Sequence, residues 1–219
     1  MKWIMILAIT SFVSCKKDAK NETYDLGYDY FPIDSGWVRT YSVDSISYND
    51  NTQSIDTFHF ILKEINSGII QGHTLSGHLE ILRLVQPDSS LFFVPRNSCY
   101  VLQTENNLQR VDENIRTVKL IFPIGNIKTW DGNLLNGNGK KTFQLQSNST
   151  NFNNGDTLFA NCATVIEAQA SNVIENILIK SVYCKGLGLV DFTNNYTNTQ
   201  VSGISGYKVH QKLIYFSRP

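Results

Sequence analysis

Charge is scarce in this 219-residue chain: Asp, Glu, Lys and Arg make up 17% of it, and the two signs cancel. No dense lysine or arginine cluster occurs, which argues against a phosphate-tracking surface and against nucleic acid as a partner. There are four cysteines and no C-x-x-C, which excludes zinc ribbons and thioredoxin-like redox motifs. No apolar run reaches the roughly 20 residues that a bilayer-crossing helix needs. Helical periodicity is thin as well. What the chain does hold is 12 Phe, 10 Tyr and 3 Trp within a 42% hydrophobic content, ample for a core. Its many asparagines suit turns.

The amino terminus has a pattern of its own. Trp3 to Val13 carries no charge, follows Lys2, and has the length of a signal-peptide core. Phe12-Val13-Ser14-Cys15 then resembles the bacterial lipobox, with Phe12 where leucine is usual. That resemblance implies a diacylglycerol on the Cys15 thiol and cleavage between Ser14 and Cys15, with residues 1–14 as a lipoprotein signal peptide. A plain secretory signal or a short membrane helix is the competing reading. Each buried acyl methylene contributes roughly 0.8 kcal/mol, so several chains together hold a soluble domain on a membrane. Residues 15–29 are polar and aperiodic, and read as a flexible tether. Their Lys16-Lys17-Asp18 start resembles the charged signals behind the lipidated cysteine of surface-exported Bacteroidota lipoproteins. The implied location is the outer membrane, lipid-anchored, on the periplasmic side or at the cell surface.

Residues 30–219 read as a single antiparallel β domain. Aromatic and β-branched runs recur between Gly, Asn and Asp turns: WVRTYSVDSISY (37–48), IDTFHFILKEI (55–65), LEILRLVQ (79–86), LFFVP (91–95) and CYVLQT (99–104). NLQRV, NIRTVKLIFP, KTFQLQS, GLVDFTNNY and YKVHQKLIYF continue the series. The expected fold is mainly β with little helix, a curved half-barrel or open barrel, with a β-sandwich as the alternative. ATVIEAQASNVIENIL has near-helical spacing, but its β-branched residues favour strands. A hairpin turning near residues 169–173 places Cys162 opposite Cys184. They form a disulfide if register and geometry cooperate, and otherwise remain two small buried thiols. Cys99 is then unpaired and buried.

Two segments echo each other, FPIDSGW (31–37) and FPIGNIKTW (122–130). Together with YFPIDSGWVRTYSVDSISY, IDTFHFILKE and YCKGLGLVDF, in this order, they resemble a group of uncharacterised Bacteroidota lipoproteins over about residues 30 to 193. The resemblance implies origin and location. It brings no activity.

The chemical motifs are weak. His73 and His78, in GHTLSGH, lack further ligands at metal-binding spacing, so both read as exposed loop residues and no metal or cofactor is expected. His59 reads as lying on a strand's polar face. GNGK (137–140) misses the phosphate-loop pattern at both ends, and SGISGY (202–207) is no nucleophile elbow. Asp44, Asp56 and Glu64 show no sign of a carboxylate pair. Asp44-Ser45-Ile46 and Asp156-Thr157-Leu158 resemble the short O-glycosylation acceptor of exported Bacteroidota proteins. Trp37 and Trp130 fit core anchors better than a sugar platform. No catalytic residue is assigned. The leading expectation is a non-enzymatic binding or envelope-support module whose partner is an apolar small molecule, a glycan or an envelope protein, with the membrane engaged through Cys15. An aromatic-lined concave face is the expected ligand surface. The alternatives are a glycan-directed envelope hydrolase and a purely structural partner of surface proteins.

Overall fold

The computed structural model describes residues 25–72 and 75–219. The signal region, Cys15, most of the tether and His73 lie outside them. The strands are β1 (Val38–Asn49), β2 (Ser54–Ile69), β3 (Leu79–Pro87), β4 (Val94–Gln103), β5 (Asn107–Asp112) and β6 (Ile115–Ile121). They continue with β7 (Thr129–Asp131), β8 (Thr142–Asn153), β9 (Leu158–Ser171), β10 (Glu175–Cys184), β11 (Gly188–Gln200) and β12 (Gly203–Ser217).

All twelve belong to one antiparallel sheet, in the order β6-β5-β4-β3-β2-β1-β12-β11-β10-β9-β8-β7. The first strand pairs with the last from Val38↔Ser217 to Tyr48↔Gly206, so two meanders run outward from a central pair. Their far edges meet again. The Val118 amide donates to the Gly132 carbonyl at 2.9 Å, and the Trp130 indole donates to the Val118 carbonyl at 2.9 Å. The result is a nearly closed barrel, not a sandwich. Register shifts at Thr40/Tyr41, Asn66/Gly68, Leu108/Gln109 and Val182/Tyr183 insert extra residues. Such bulges bend and twist a strand, which a closing sheet requires.

ATVIEAQASNVIENIL is a hairpin. The Asn172 side chain accepts the amides of Ile174 and Glu175, both at 2.8 Å, and turns the chain there. The register sets Cys162 against Cys184, and a disulfide joins them. Cys99 is unpaired, and burial pushes its thiol up to about 12, which leaves it inert. The bridge closes a loop of sequence separation 22. Its removal in a Cys162→Ser/Cys184→Ser chain is expected to lose about 3 kcal/mol in urea denaturation. An unchanged midpoint would contradict that.

One strand reading needs correction, and one short strand has no counterpart among the sequence runs. LFFVP is not a separate strand: Leu91 and Phe92 are exposed in a loop, and β4 takes in Val94 together with CYVLQT. β7, three residues long, has too few positions to show any period. The tether is also shorter than the polar composition suggests. Residues 25–29 are held on the barrel: Tyr28 packs edge-on against Phe122 at 4.9 Å, and Asp25 pairs with Lys185.

The alternating connections give the barrel two different ends. The turns of β1–β2, β3–β4, β5–β6, β9–β10 and β11–β12 lie at one, here called upper. Residues 25–31 and the carboxyl terminus lie at the other, where Tyr30, Phe31, Leu79, Val101, Leu120 and Phe122 share one buried cluster.

Candidate functional site

The site is built from charges inside the barrel, and it begins at the lower end with Arg39. This side chain is 0% exposed and has no carboxylate partner among the described residues. Its Nε donates to the Leu187 carbonyl at 2.7 Å, Nη1 to Asn66 Oδ1 at 3.1 Å and Nη2 to the Pro32 carbonyl at 3.2 Å. The guanidinium also lies over the Phe31 ring, 5.0 Å from its centre, and near that of Trp37. Asn66 in turn donates to the carbonyls of Pro32 and Asp34. Gly188 has φ +89, which favours glycine, and a Cβ there would stand 3.0 Å from Arg39 Nε, close enough that the guanidinium would have to shift by a few tenths of an ångström. Tyr-Phe-Pro, Gly-Trp and Lys-Gly-Leu-Gly-Leu-Val thus converge on one arginine. These motifs are a structural plug. Trp37 is buried in it, and Trp130 is a half-buried anchor, so neither forms a sugar platform.

Higher in the interior lie two ionic groups. Arg110 donates through Nε to Asp112 at 2.7 Å and through Nη2 to Glu64 at 3.0 Å, while Arg83 pairs with Asp112 and donates to Asn97 at 2.9 Å. Across the lumen, Lys119 reaches both oxygens of Glu167, at 3.0 and 2.8 Å, and the Ser181 hydroxyl donates to Glu167 at 2.6 Å. Burial alone would raise the pKa of Glu167, but Lys119 and the hydroxyl override it and hold the carboxyl below its ordinary range. Asp112 is likewise pulled down, by Arg110 and Arg83 against burial.

A depressed carboxylate contributes stability that is present above its unfolded pKa and is lost as pH falls through the folded value. The urea midpoint is therefore expected to drop as pH is lowered from 5 toward 3. Glu167→Gln should be weaker at pH 7 and lose less over that acid range. Equal acid slopes for the two proteins would contradict the assignment.

Two adjoining cavities open onto these charges. The inner, of about 120 Å³, is lined by Arg83, Arg110, Asp112, Lys119, Tyr183 and Gln211, among others. The outer, of about 360 Å³, shares Arg83, Asp112 and Gln211 with it. Val43, Phe60, Leu62 and Val209 form an apolar wall there, and Arg96 and Glu113 stand near the upper turns. The expected aromatic-lined concave face is thus replaced by a mixed lining, in which Arg83, Arg110, Asp112 and Lys119 are held in ion pairs beside the apolar residues.

The remaining sequence candidates are dispersed. His78 is buried, not exposed, with Nδ1 held at 2.9 Å from the Leu75 carbonyl. His59 bonds Asp44 at 2.8 Å on the exposed surface, and His210 bonds Asp191 at 2.7 Å. Among the described residues no group of three or more His, Cys, Asp or Glu can hold a metal. Ser45 lines the outer cavity, whereas Thr157 is exposed in the β8–β9 turn. No helix among the described residues is long and apolar enough to cross a membrane.

Arg83, Arg110 and Glu167 were reachable only through strand parity, and Lys119 not even so, since it sits between buried Val118 and Leu120 where the β5–β6 register shifts. Leu108, Arg110 and Asp112 alternate on one face of β5, as Leu62 and Glu64 do on β2. A charged residue in phase with buried leucines is the available signal. A scan of protein-family models finds no match to the chain, and a search of curated proteins finds no relative.

Proposed function

We propose that the chain is a lipid-anchored envelope lipoprotein, non-enzymatic, which binds a small ligand in the upper cavity of its barrel. The observation that carries the binding role is the asymmetry of the two ends. The lower interior is filled by Tyr30, Phe31, Phe122 and the Arg39 cluster. The recess of about 350 Å³ there, lined by Tyr28, Pro32, Trp37 and Arg218 among others, is more open than the cavity of about 360 Å³ among inward strand residues. That cavity lies toward the upper turns, away from Asp25, where the tether arrives. The placement rests on the lipobox-like Phe12-Val13-Ser14-Cys15 and on the resemblance to Bacteroidota lipoproteins. A glycan hydrolase has less support, since a general acid must be protonated near neutral pH, and Asp112 and Glu167 are held in the ionised form.

Growth of an expressing bacterium with an alkyne-labelled fatty acid tests the anchor. The mature protein is expected to carry the label, start at Cys15 and sediment with membranes. Cys15→Ser should lose the label entirely and cease to be cut at that bond. A Cys15→Ser chain still processed there and membrane-bound would overturn the proposal.

A further inference from the structure

The lining of the two cavities differs from end to end, and the difference has a chemical sense. Around the inner cavity stand three cations, Arg83, Arg110 and Lys119, with Asp112 in the lining and Glu64 and Glu167 bonded to Arg110 and Lys119, so the site offers oriented donors rather than net positive charge. Arg83 uses Nε on Asn97 and Nη2 on Asp112, and Arg110 uses Nε on Asp112 and Nη2 on Glu64. The Nη1 of each arginine and the side-chain amide of Gln211 have no hydrogen-bond partner among the described residues. Both guanidinium planes are already fixed by their carboxylates, so their remaining donors are preorganised, and a guanidinium edge matches a planar carboxylate. The outer cavity, in contrast, offers the apolar wall of Val43, Phe60, Leu62 and Val209. Arg96 lies over the Phe60 ring, 5.8 Å from its centre, without a carboxylate partner among the described residues, and adds positive potential at the mouth.

We infer that the barrel takes a small amphiphilic monocarboxylate, its apolar body against Val43, Phe60, Leu62 and Val209 and its carboxylate on Arg83, Arg110 and Gln211. This rests on the binding role proposed above and adds the ligand's chemical class. Asp112 and Glu113 in the same lining oppose a second negative charge, which selects against phosphate esters and dicarboxylates. The outer volume of about 360 Å³ lies near the lower end of the range typical of small-molecule sites.

Calorimetric titration of the mature protein at pH 7.5 with octanoate and with 1-octanol tests the inference, with fluorescence of the neutral probe N-phenyl-1-naphthylamine as an independent measure of cavity binding. Octanoate is expected to bind about tenfold tighter than octanol or better, the effect of a charge-assisted hydrogen-bond pair, and to displace the probe. Gln211→Leu, which keeps the side chain's size, should narrow that preference, and Val209→Trp should weaken all three ligands. Equal affinities for octanoate and octanol, with the probe bound, would overturn the carboxylate assignment and leave the binding role standing. Failure of all three to bind would overturn both. Octanoate binding untouched by either substitution would place it elsewhere and overturn the inference.

Discussion

Arg39→Met is expected to destabilise the folded chain by about 3–5 kcal/mol, the range seen when a buried charged hydrogen-bonding partner is removed. The side chain links four distant segments: β1 itself, Asn66 on β2, Pro32 in the amino-terminal segment and Leu187 between β10 and β11. Methionine fills much of the same space, so the loss comes chiefly from the Leu187 carbonyl and Asn66 Oδ1, left without a donor in a buried site, while the Pro32 carbonyl keeps the Asn66 amide. The Phe31 and Trp37 rings lose a cation as well. Arg39→Lys keeps the charge but cannot reach three acceptors in a plane, and it should fall between methionine and the natural residue. Urea denaturation measures both. A loss below about 1 kcal/mol for methionine, the scale of an ordinary exposed contact, would show that Arg39 does not organise the lower end.

The second large effect concerns Arg110. Glu64 is 2% exposed and has Arg110 as its ion-pair partner, whereas Asp112 keeps Arg83 when Arg110 is lost. Arg110→Met should therefore cost about 3–5 kcal/mol, most of it the penalty of leaving Glu64 charged and alone. A companion Glu64→Leu removes that penalty, and the double variant should recover at least half of the loss. The logic is that of a double-mutant cycle, in which contacting residues fail to add. A double variant as unstable as the sum of the two single ones would mean that the pair is not coupled, and the barrel interior would need another explanation.

The fold was more legible than the site. Strands such as LEILRLVQ and the cysteine hairpin can be read because alternation and turn residues are local signals. β3 is found at Leu79–Pro87, and Cys162 faces Cys184 because strand pairing about one turn fixes parity along both arms. β7 escapes because three residues carry no period, and residues 25–29 escape because their attachment depends on Phe122 and Lys185, remote in sequence. The Arg39 cluster escapes for the same reason: its partner carbonyl on Leu187 is 148 positions away. The motifs shared with the lipoprotein group mark this cluster without revealing what they do, since a conformational role for Gly188 is visible only once the guanidinium beside it is seen. Inward charges are hardest of all. A lysine or arginine on a strand is ordinarily read as solvent-facing, and only its phase with neighbouring leucines says otherwise.

Chemical modification of single thiols tests the central claim, a barrel sealed below and open above, most directly. Cys99 is buried in the lower cluster, and a Gln211→Cys substitution places a second thiol where the two cavities meet. With the Cys162–Cys184 bridge intact, a small charged methanethiosulfonate should modify the residue-211 thiol rapidly and leave Cys99 untouched in the folded protein. Modification of Cys99 at the same rate, or protection of the position-211 thiol, would contradict the one-ended barrel on which the binding role depends.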